Sequence, residues 1–425
     1  MPNRLEAPPY QAIGDLELVQ PVALSHANGL KTFLFHTDEL ELIKFEFVFE
    51  NYYEKSSLPI LNVALSSMLK EGTTSRSSAE IAEEIDFYGA YLMPEYSFDY
   101  TALSLYTIRK HVDKVLPIVA DILMHSTFPE EELETYIRNN KQSLQIALQK
   151  NDVVARRLFY KNLFGPNQYG AVADLEDYDS LSREKLIALF EQQIAPNNCT
   201  LLIAGRIDEE LQGLVDSLFG QEWASSKTAV GNSIDLPLPG DGQLVVEPKE
   251  EALQSAIRMG GITEGRAHPD FPAIQFVNTL LGGFFGSRLM RNIREDKGYT
   301  YGIGSAVVSL KHTAFITLGS EVGADVTNAT LVEIEKEFKH LREQPTTIEE
   351  VELVRNYMQG NLLGSLESIF SHVDKFKAVY FSGLDLSYYH YYHEVLRTMT
   401  PARVQEIATR YFDYDKLSKV IVGKY

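Results

Sequence analysis

The 425-residue sequence predicts an α+β protein in which one domain-sized unit occurs twice. The order of predicted strands and helices repeats, two landmarks recur at a constant spacing, and a segment of linker composition lies between the repeats. Within each repeat, runs of strands are interspersed with several long helices rather than alternating strictly with them. That order predicts a mostly antiparallel sheet with helices packed on one face.

The first half begins with a run in which apolar and polar residues largely alternate, which predicts a strand. Further along, the capping box Ser77–Glu80 opens a helix that Gly89 can close. In chain order we predict a strand over Leu42–Glu50, a helix over Pro59–Lys70, the capped helix, strands over Tyr91–Tyr96 and Tyr100–Thr107, helices near 109–124, 130–149 and 152–163, a helix opening at Ser182, and a strand at Cys199.

The second half shows the same order of elements. Its last helix opens at Thr400-Pro401, with Thr as the capping residue and Pro in the first turn. In chain order we predict a strand over Leu253–Gly260, helices over Phe271–Leu281 and Ser287–Glu295, strands over Tyr299–Leu310 and Thr313–Glu321, helices over 326–342, 348–364 and 368–380, the helix at Pro401, and a strand over Leu417–Val422.

Two landmarks keep a constant spacing between the halves. Pro129–Glu131 corresponds to Ile348–Glu350 at a shift of 219 residues, and Ser182 corresponds to Thr400 at a shift of 218 residues. A shift of that length is too long for a solenoid repeat and indicates duplication of a whole domain.

Between the halves, residues 224–243 are rich in Ser, Gly and Pro and lack helical periodicity, which is typical of a linker. We therefore predict a first domain over residues 1–223, a linker over 224–245 and a second domain over 246–425.

Composition excludes several classes of function. The net charge of −20 argues against a sequence-independent nucleic-acid binder and against attachment to an anionic membrane surface. The only cysteine, Cys199, lies in an apolar run, so we expect neither a disulfide nor a cysteine-based zinc site. No secretory signal and no apolar run long enough to span a membrane are evident, so we expect a cytoplasmic protein.

An arginine and a tyrosine flank a predicted corner between a helix and a strand in the second half. Gly298 can end the helix in a left-handed conformation, which would let Arg294 and Tyr301 converge on one side. Their guanidinium and phenol groups can hold a peptide carbonyl or a developing oxyanion. The alternative is that Arg294 pairs with Glu295 or Asp296 while Tyr301 fills the core.

This segment carries a resemblance to a known family. The pattern Leu-Gly-Gly-x3-Ser-Arg-Leu-x4-Arg-x3-Gly-x2-Tyr, which runs from Leu281 to Tyr301, resembles the second-domain signature of the insulinase-type (M16, inverzincin) metallopeptidases. The resemblance covers essentially the whole chain and implies the LuxS/MPP-like metallohydrolase fold. It implies that Tyr301 assists a tetrahedral intermediate and that Arg294 fixes substrate, both across a clamshell from a zinc site. Gly282, Gly283 and Gly286 resemble a glycine-rich loop that contacts substrate or partner.

The first half departs from the family where zinc should bind. Family members carry His-x-x-Glu-His on the first helix, which supplies two zinc ligands and a general base. Counting back from the Gly-Thr pair that begins at Gly72 puts Val63, Ser66 and Ser67 at those positions. The third ligand, a Glu on a later helix, should fall within Tyr136–Gln149, a stretch without any acid. We therefore expect no metal site in this chain.

The resemblance then implies that this chain is one subunit of a two-subunit enzyme. The chain would pair with a homologous His-x-x-Glu-His subunit that holds the zinc, and the substrate would be a peptide or a small unfolded protein. We expect no peptidase activity from the chain alone, although it could form homodimers without its partner.

Two rival interpretations remain open. The chain could be a non-enzymatic structural or peptide-binding homologue, like the non-catalytic family members in respiratory complexes. It could also be a free-standing hydrolase, since His390 and His393 are spaced to share a helix face beside Glu394. A catalytic zinc needs a third ligand, however, and the surrounding tyrosines favour a Tyr/His surface between helices.

Overall fold

The computed structural model describes residues 14, 16–54, 57–224, 234, 236 and 242–425. Within these residues the strands form a six-stranded and a five-stranded sheet. The strands are β1 (Val22–Ser25), β2 (Lys31–His36), β3 (Leu42–Glu50), β4 (Tyr91–Tyr96), β5 (Tyr100–Ile108), β6 (Cys199–Gly205), β7 (Leu244–Pro248), β8 (Gln254–Thr263), β9 (Thr300–Ser309), β10 (Ala314–Gly323) and β11 (Ser418–Gly423).

Helices surround both sheets. They are α1 (Leu61–Met68), α2 (Ser78–Phe87), α3 (Val112–His125), α4 (Glu130–Ala147), α5 (Asn151–Phe164), α6 (Leu175–Asp179), α7 (Arg183–Gln193), α8 (Glu209–Val215), α9 (Phe271–Asn278), α10 (Thr327–Glu343), α11 (Ile348–Gly364), α12 (Ile369–Tyr380), α13 (Ser387–Thr398) and α14 (Pro401–Tyr411). The predicted α+β architecture is confirmed.

The two sheets share one topology. The first has the order β1-β2-β6-β3-β5-β4, and the second has the order β7-β11-β8-β10-β9. Apart from the additional β1, the sheets match strand for strand, including one parallel pair in each, β2 with β6 and β7 with β11. The remaining pairs are antiparallel. This agreement is what duplication of one unit would produce.

Capping residues begin several helices as the sequence predicts. Ser77 and Glu80 form the reciprocal capping box of α2, and Gly89 follows that helix with a φ of 60°. Ser182 accepts a hydrogen bond from the backbone of Lys185 at the start of α7, and Thr400 does the same for α14. Each cap satisfies a backbone N–H that the first helical turn leaves without a partner.

Alternation along β3 places its aromatic residues in the first core. Phe45, Phe47 and Phe49 are fully buried against the helices of the first half. Val48, on the other face of the same strand, packs against the second half of the chain.

Each half covers the open face of the other half's sheet. From the first half, α5 packs Phe159 and Phe164 against Phe315 and Val420 of the second sheet. From the second half, α12 packs Phe376 against the first sheet. The two helices occupy equivalent positions in the repeat, so the exchange is reciprocal.

Some elements differ from the sequence predictions. The predicted helix over Ser287–Glu295 winds as a π-helix over Met290–Asp296, where the N–H of Lys297 bonds to the carbonyl of Asn292 at 3.0 Å. The predictions did not include the short strands β1, β2 and β7 or the helices α6, α8 and α13. Most of the proposed linker lies outside the described residues, and β7 begins inside it at Leu244.

No described helix is both long and apolar enough to cross a bilayer.

Candidate functional site

The positions that would hold zinc lie on α1 and carry no ligand. The Ser66 hydroxyl donates a hydrogen bond to the carbonyl of Glu95 at 3.0 Å, and the Ser67 hydroxyl donates to the carbonyl of Val63 at 3.0 Å. Ser66 is buried, and the side chain of Val63 has no donor atom for a metal. Both hydroxyls are therefore committed to backbone groups.

The helix that should supply the third ligand faces α1 with a tyrosine. Burial raises the pKa of Tyr136 to about 12, with Tyr178 adding to the effect and a hydrogen bond to Ser67 opposing it. Within the described residues, no group of three or more His, Cys, Asp or Glu side chains could hold a metal ion. The residues of this region therefore do not fit a zinc ion.

On the second sheet, the arginine and the tyrosine flank the corner that the sequence predicts. Gly298 follows the π-helix with a φ of 67°, the left-handed conformation that glycine adopts without strain, and β9 begins two residues later. Tyr301 is 93% exposed. Tyr301 therefore does not fill the core, whereas the alternative interpretation required it to do so.

The guanidinium of Arg294 lies over the ring of Phe285, 4.6 Å from the ring centroid. In the described part of the chain, the Arg294 side chain forms no ion pair or hydrogen bond, whether with Glu295, with Asp296 or with Tyr301. The structure thus brings Arg294 together with Phe285 rather than bonding it to Tyr301. The charged group remains available to an external ligand.

The three predicted glycines differ in their surroundings. A Cβ on Gly282 would lie 2.6 Å from the Ser305 hydroxyl oxygen, so this buried glycine permits close packing of the loop against β9. Gly283 is exposed and lines a groove, whereas a Cβ on Gly286 would meet only the ring of Phe284. Gly282 and Gly283 both line this groove, and a contact of any of the three glycines with substrate stays a prediction.

The groove beside the glycine loop has a volume of about 630 Å³. The loop Gly282–Phe285 and the β9 segment Gly302–Ala306 form its walls, and its floor includes Arg258 of β8 and Gly319 of β10. π-Helical turns lie on both sides of the loop, at Thr279–Gly283 and at Met290–Asp296, and such turns occur often at functional sites.

Sequence reasoning did not identify Phe285 or Arg258. Phe285 is an exposed aromatic residue within the glycine-rich loop, a signal that the sequence does contain. Arg258 is the single charged residue of β8, which is a weaker signal because one charge in a strand is often simply solvated.

The alternative histidine site lacks the groups that a metal needs. The Nε2 atom of His393 lies 3.2 Å from the side-chain amide nitrogen of Gln359, and Glu394 forms an ion pair with Arg397 at 2.8 Å. Among the described residues no third ligand joins His390 and His393.

Among the described residues, the duplicated α+β fold presents Tyr301 at the surface of the second sheet and contains no group of three or more side chains that could hold a metal ion. Residues 64–172 match the family model described as insulinase (peptidase family M16), and residues 180–358 match the model described as peptidase M16 inactive domain. The chain belongs to the M16 peptidase family.

Curated relatives are similar in sequence, and a solved structure shares the fold. The chain is 26% identical over 315 residues to YmxG of Bacillus subtilis, an uncharacterised zinc protease, covering 73% of this chain and 75% of that protein. It is 23% identical over 227 residues to YmfF of the same organism, a probable inactive metalloprotease, covering 50% and 51% of the two chains. The crystal structure of a peptidase M16 inactive domain from Pseudomonas fluorescens superposes with a TM-score of 0.87 at 20% identity, covering 95% of this chain and 98% of that one.

Proposed function

We propose that this chain is the non-metal-binding subunit of an M16-type zinc metalloendopeptidase. It supplies Arg294, Tyr301 and a wall of the reaction chamber to a partner subunit that carries His-x-x-Glu-His and the zinc. One combination of features carries the proposal: Val63, Ser66 and Ser67 replace the zinc motif, while the Arg/Tyr pair is intact and presented at the surface.

The surroundings of the pair support a role toward another molecule. Tyr301 is almost fully exposed, and Arg294 has no charged partner among the described residues. A guanidinium and a phenol that are free of internal bonds can donate hydrogen bonds to the oxygen that becomes negative when water attacks a peptide carbonyl. The base and the metal that activate this water would both come from the partner.

The substrate that fits this role is a peptide or a small unfolded protein enclosed between the two subunits. The groove beside the glycine loop has a volume of about 630 Å³ and is lined mostly by small and apolar residues, with Arg258 among them. The proposed partner is a homologous subunit, and zinc is the cofactor that we expect it to hold.

Co-expression with a His-x-x-Glu-His homologue from the same source tests the proposal. We expect each subunit alone to be inactive on a quenched fluorescent peptide and the purified complex to cleave it. Tyr301→Phe and Arg294→Gln should lower kcat in the complex, while the matched control Tyr425→Phe, at another exposed tyrosine, should not. Full activity of the zinc subunit alone, or of the complex with Tyr301→Phe, would contradict the proposal.

A second candidate is a non-enzymatic structural or peptide-binding homologue. The similarity to a probable inactive metalloprotease favours it, because such a protein can retain the fold without the chemistry. In that case the chain would bind peptides, but no complex would show cleavage that depends on Arg294 and Tyr301.

A further inference from the structure

Three residues in register cross the floor of the groove. Arg258 of β8 pairs with Gly319 of β10, and Gly319 pairs with Gly304 of β9. Residues that pair directly across a sheet project from the same face. Because the two glycines have no side chains, a shallow lane runs from Arg258 toward the edge strand.

The side chain of Arg258 occupies this lane. A Cβ on Gly319 would lie 2.4 Å from Nη1 and 2.8 Å from Cζ of Arg258. The guanidinium therefore lies flat on the sheet directly above Gly319, in a place that only glycine leaves open.

Arg258 has no anionic partner in the described part of the chain. Its guanidinium makes no ion pair or hydrogen bond there, although the residue is partly buried. Burial lowers the pKa of Arg258, and the nearby charge of Arg156 lowers it further, while Asp152 and Glu321 lie near enough to oppose that effect in part. A partly buried cation without a partner is costly, and a bound anion would relieve that cost.

We propose that Arg258 forms a subsite for a carboxylate of the bound peptide. The planar fork of a guanidinium matches a carboxylate through two parallel hydrogen bonds. The carboxylate comes either from an Asp or Glu side chain or from the C-terminus of the peptide. This inference rests on the proposed function only in assuming that the groove receives peptides.

Calorimetric titration of the isolated chain tests the subsite without a partner subunit or zinc. Four versions of one unstructured peptide of Ala, Ser and Tyr serve as probes, with Glu or Gln at one central position and a free or amidated C-terminus. We expect the wild-type chain to bind one carboxylate form about 10-fold more tightly than the peptide without any carboxylate, as a charge-assisted bidentate contact implies. The Glu/Gln comparison and the acid/amide comparison identify which carboxylate is bound.

Substitutions assign the preference to Arg258. Arg258→Gln should abolish the preference, and Gly319→Ala should reduce it by displacing the guanidinium. Gly360→Ala is the matched control, because a Cβ there meets nothing within 4 Å. Arg294→Gln should leave the preference intact, which separates this subsite from the Arg/Tyr pair.

Several results would overturn the subsite. These are equal affinity of the wild-type chain for all four peptides, no binding of any of them, a preference that survives in folded Arg258→Gln, or a preference lost in Arg294→Gln. If Arg258→Gln does not fold, the wild-type comparison and Gly319→Ala decide the question. Absence of hydrolysis by the two-subunit complex would contradict the proposed function while leaving this binding result unchanged.

Discussion

Lys377 of α12 forms an ion pair with Glu46 of β3, across the contact between the two halves of the chain. Glu46 is fully buried and also pairs with Lys44 at 2.7 Å. Without the Glu46 carboxylate, the almost buried ammonium of Lys44 loses its shortest ion pair and keeps the longer one with Asp374 at 3.5 Å, which leaves its charge poorly compensated. Glu46→Gln should therefore lower the free energy of unfolding by about 3–5 kcal/mol. Urea denaturation measures this, with Glu83→Gln on the exposed face of α2 as the control. An unchanged midpoint would show that the pair contributes nothing to stability.

The same cluster gives stability a defined dependence on pH. Burial alone raises the pKa of Glu46, but Lys377 and Lys44 outweigh burial and hold the pKa below its ordinary value of 4.5. The unfolded chain then binds more protons than the folded chain at acidic pH, so the stability from Glu46 is present above pH 4.5 and is lost as the pH falls through the lower, folded-state pKa. Melting temperatures should fall over this acidic range, and less steeply in Glu46→Gln. Parallel curves for the two proteins would contradict this.

Tyr301→Phe removes a single hydroxyl from an exposed side chain, so we expect no loss of stability. In the complex with a zinc subunit we expect kcat to fall by about 10²-fold, the effect of losing one donor to a developing oxyanion. Steady-state kinetics with a fluorogenic peptide measure this. A change confined to KM would instead assign Tyr301 to ground-state binding.

The ring of Phe285 contacts the guanidinium of Arg294, and we expect this contact to orient Arg294. An exposed contact of this kind contributes roughly 0.5–1 kcal/mol, so Phe285→Ala should lower kcat/KM of the complex about 2–5-fold. Phe285→Tyr keeps the aromatic face and should retain most of the activity. If the Ala and Tyr variants are equally impaired, the ring is not what orients Arg294.

The isolated chain should bind no stoichiometric zinc. Val63→His with Ser67→His would restore two ligands on one face of α1, but binding should stay weak because residues 136–149 contain no acid. Adding Tyr136→Glu places a carboxylate at the position that contacts Ser67 and should tighten binding. Equilibrium dialysis with elemental analysis measures all three proteins. One zinc per chain in the wild type would refute the expectation.

Local patterns in the sequence predicted most elements of this fold. The alternation of Leu42–Glu50 and the capping groups at Ser77, Ser182 and Thr400 predict structure because each acts over a few neighbouring residues. The α+β architecture followed from the order of these elements.

The remaining features depend on residues that are distant in the sequence. No local periodicity indicates that α5 covers the second sheet, or that Gly319 and Gly304 clear a lane for Arg258. Strands β1, β2 and β7 escaped prediction because their pairing, of β1 with β2, of β2 with β6 and of β7 with β11, defines them more than their own sequences do. The Arg294 and Tyr301 assignments came from a family signature, and their roles stay predictions.

Because α5 and α12 each pack on the sheet of the opposite half, the two halves of the chain depend on each other when they are expressed. Either half expressed without the other would leave an aromatic sheet surface bare to water, and such surfaces drive aggregation. Each half therefore needs the other half to cover its sheet, and we expect the two halves to be soluble only when they are produced together.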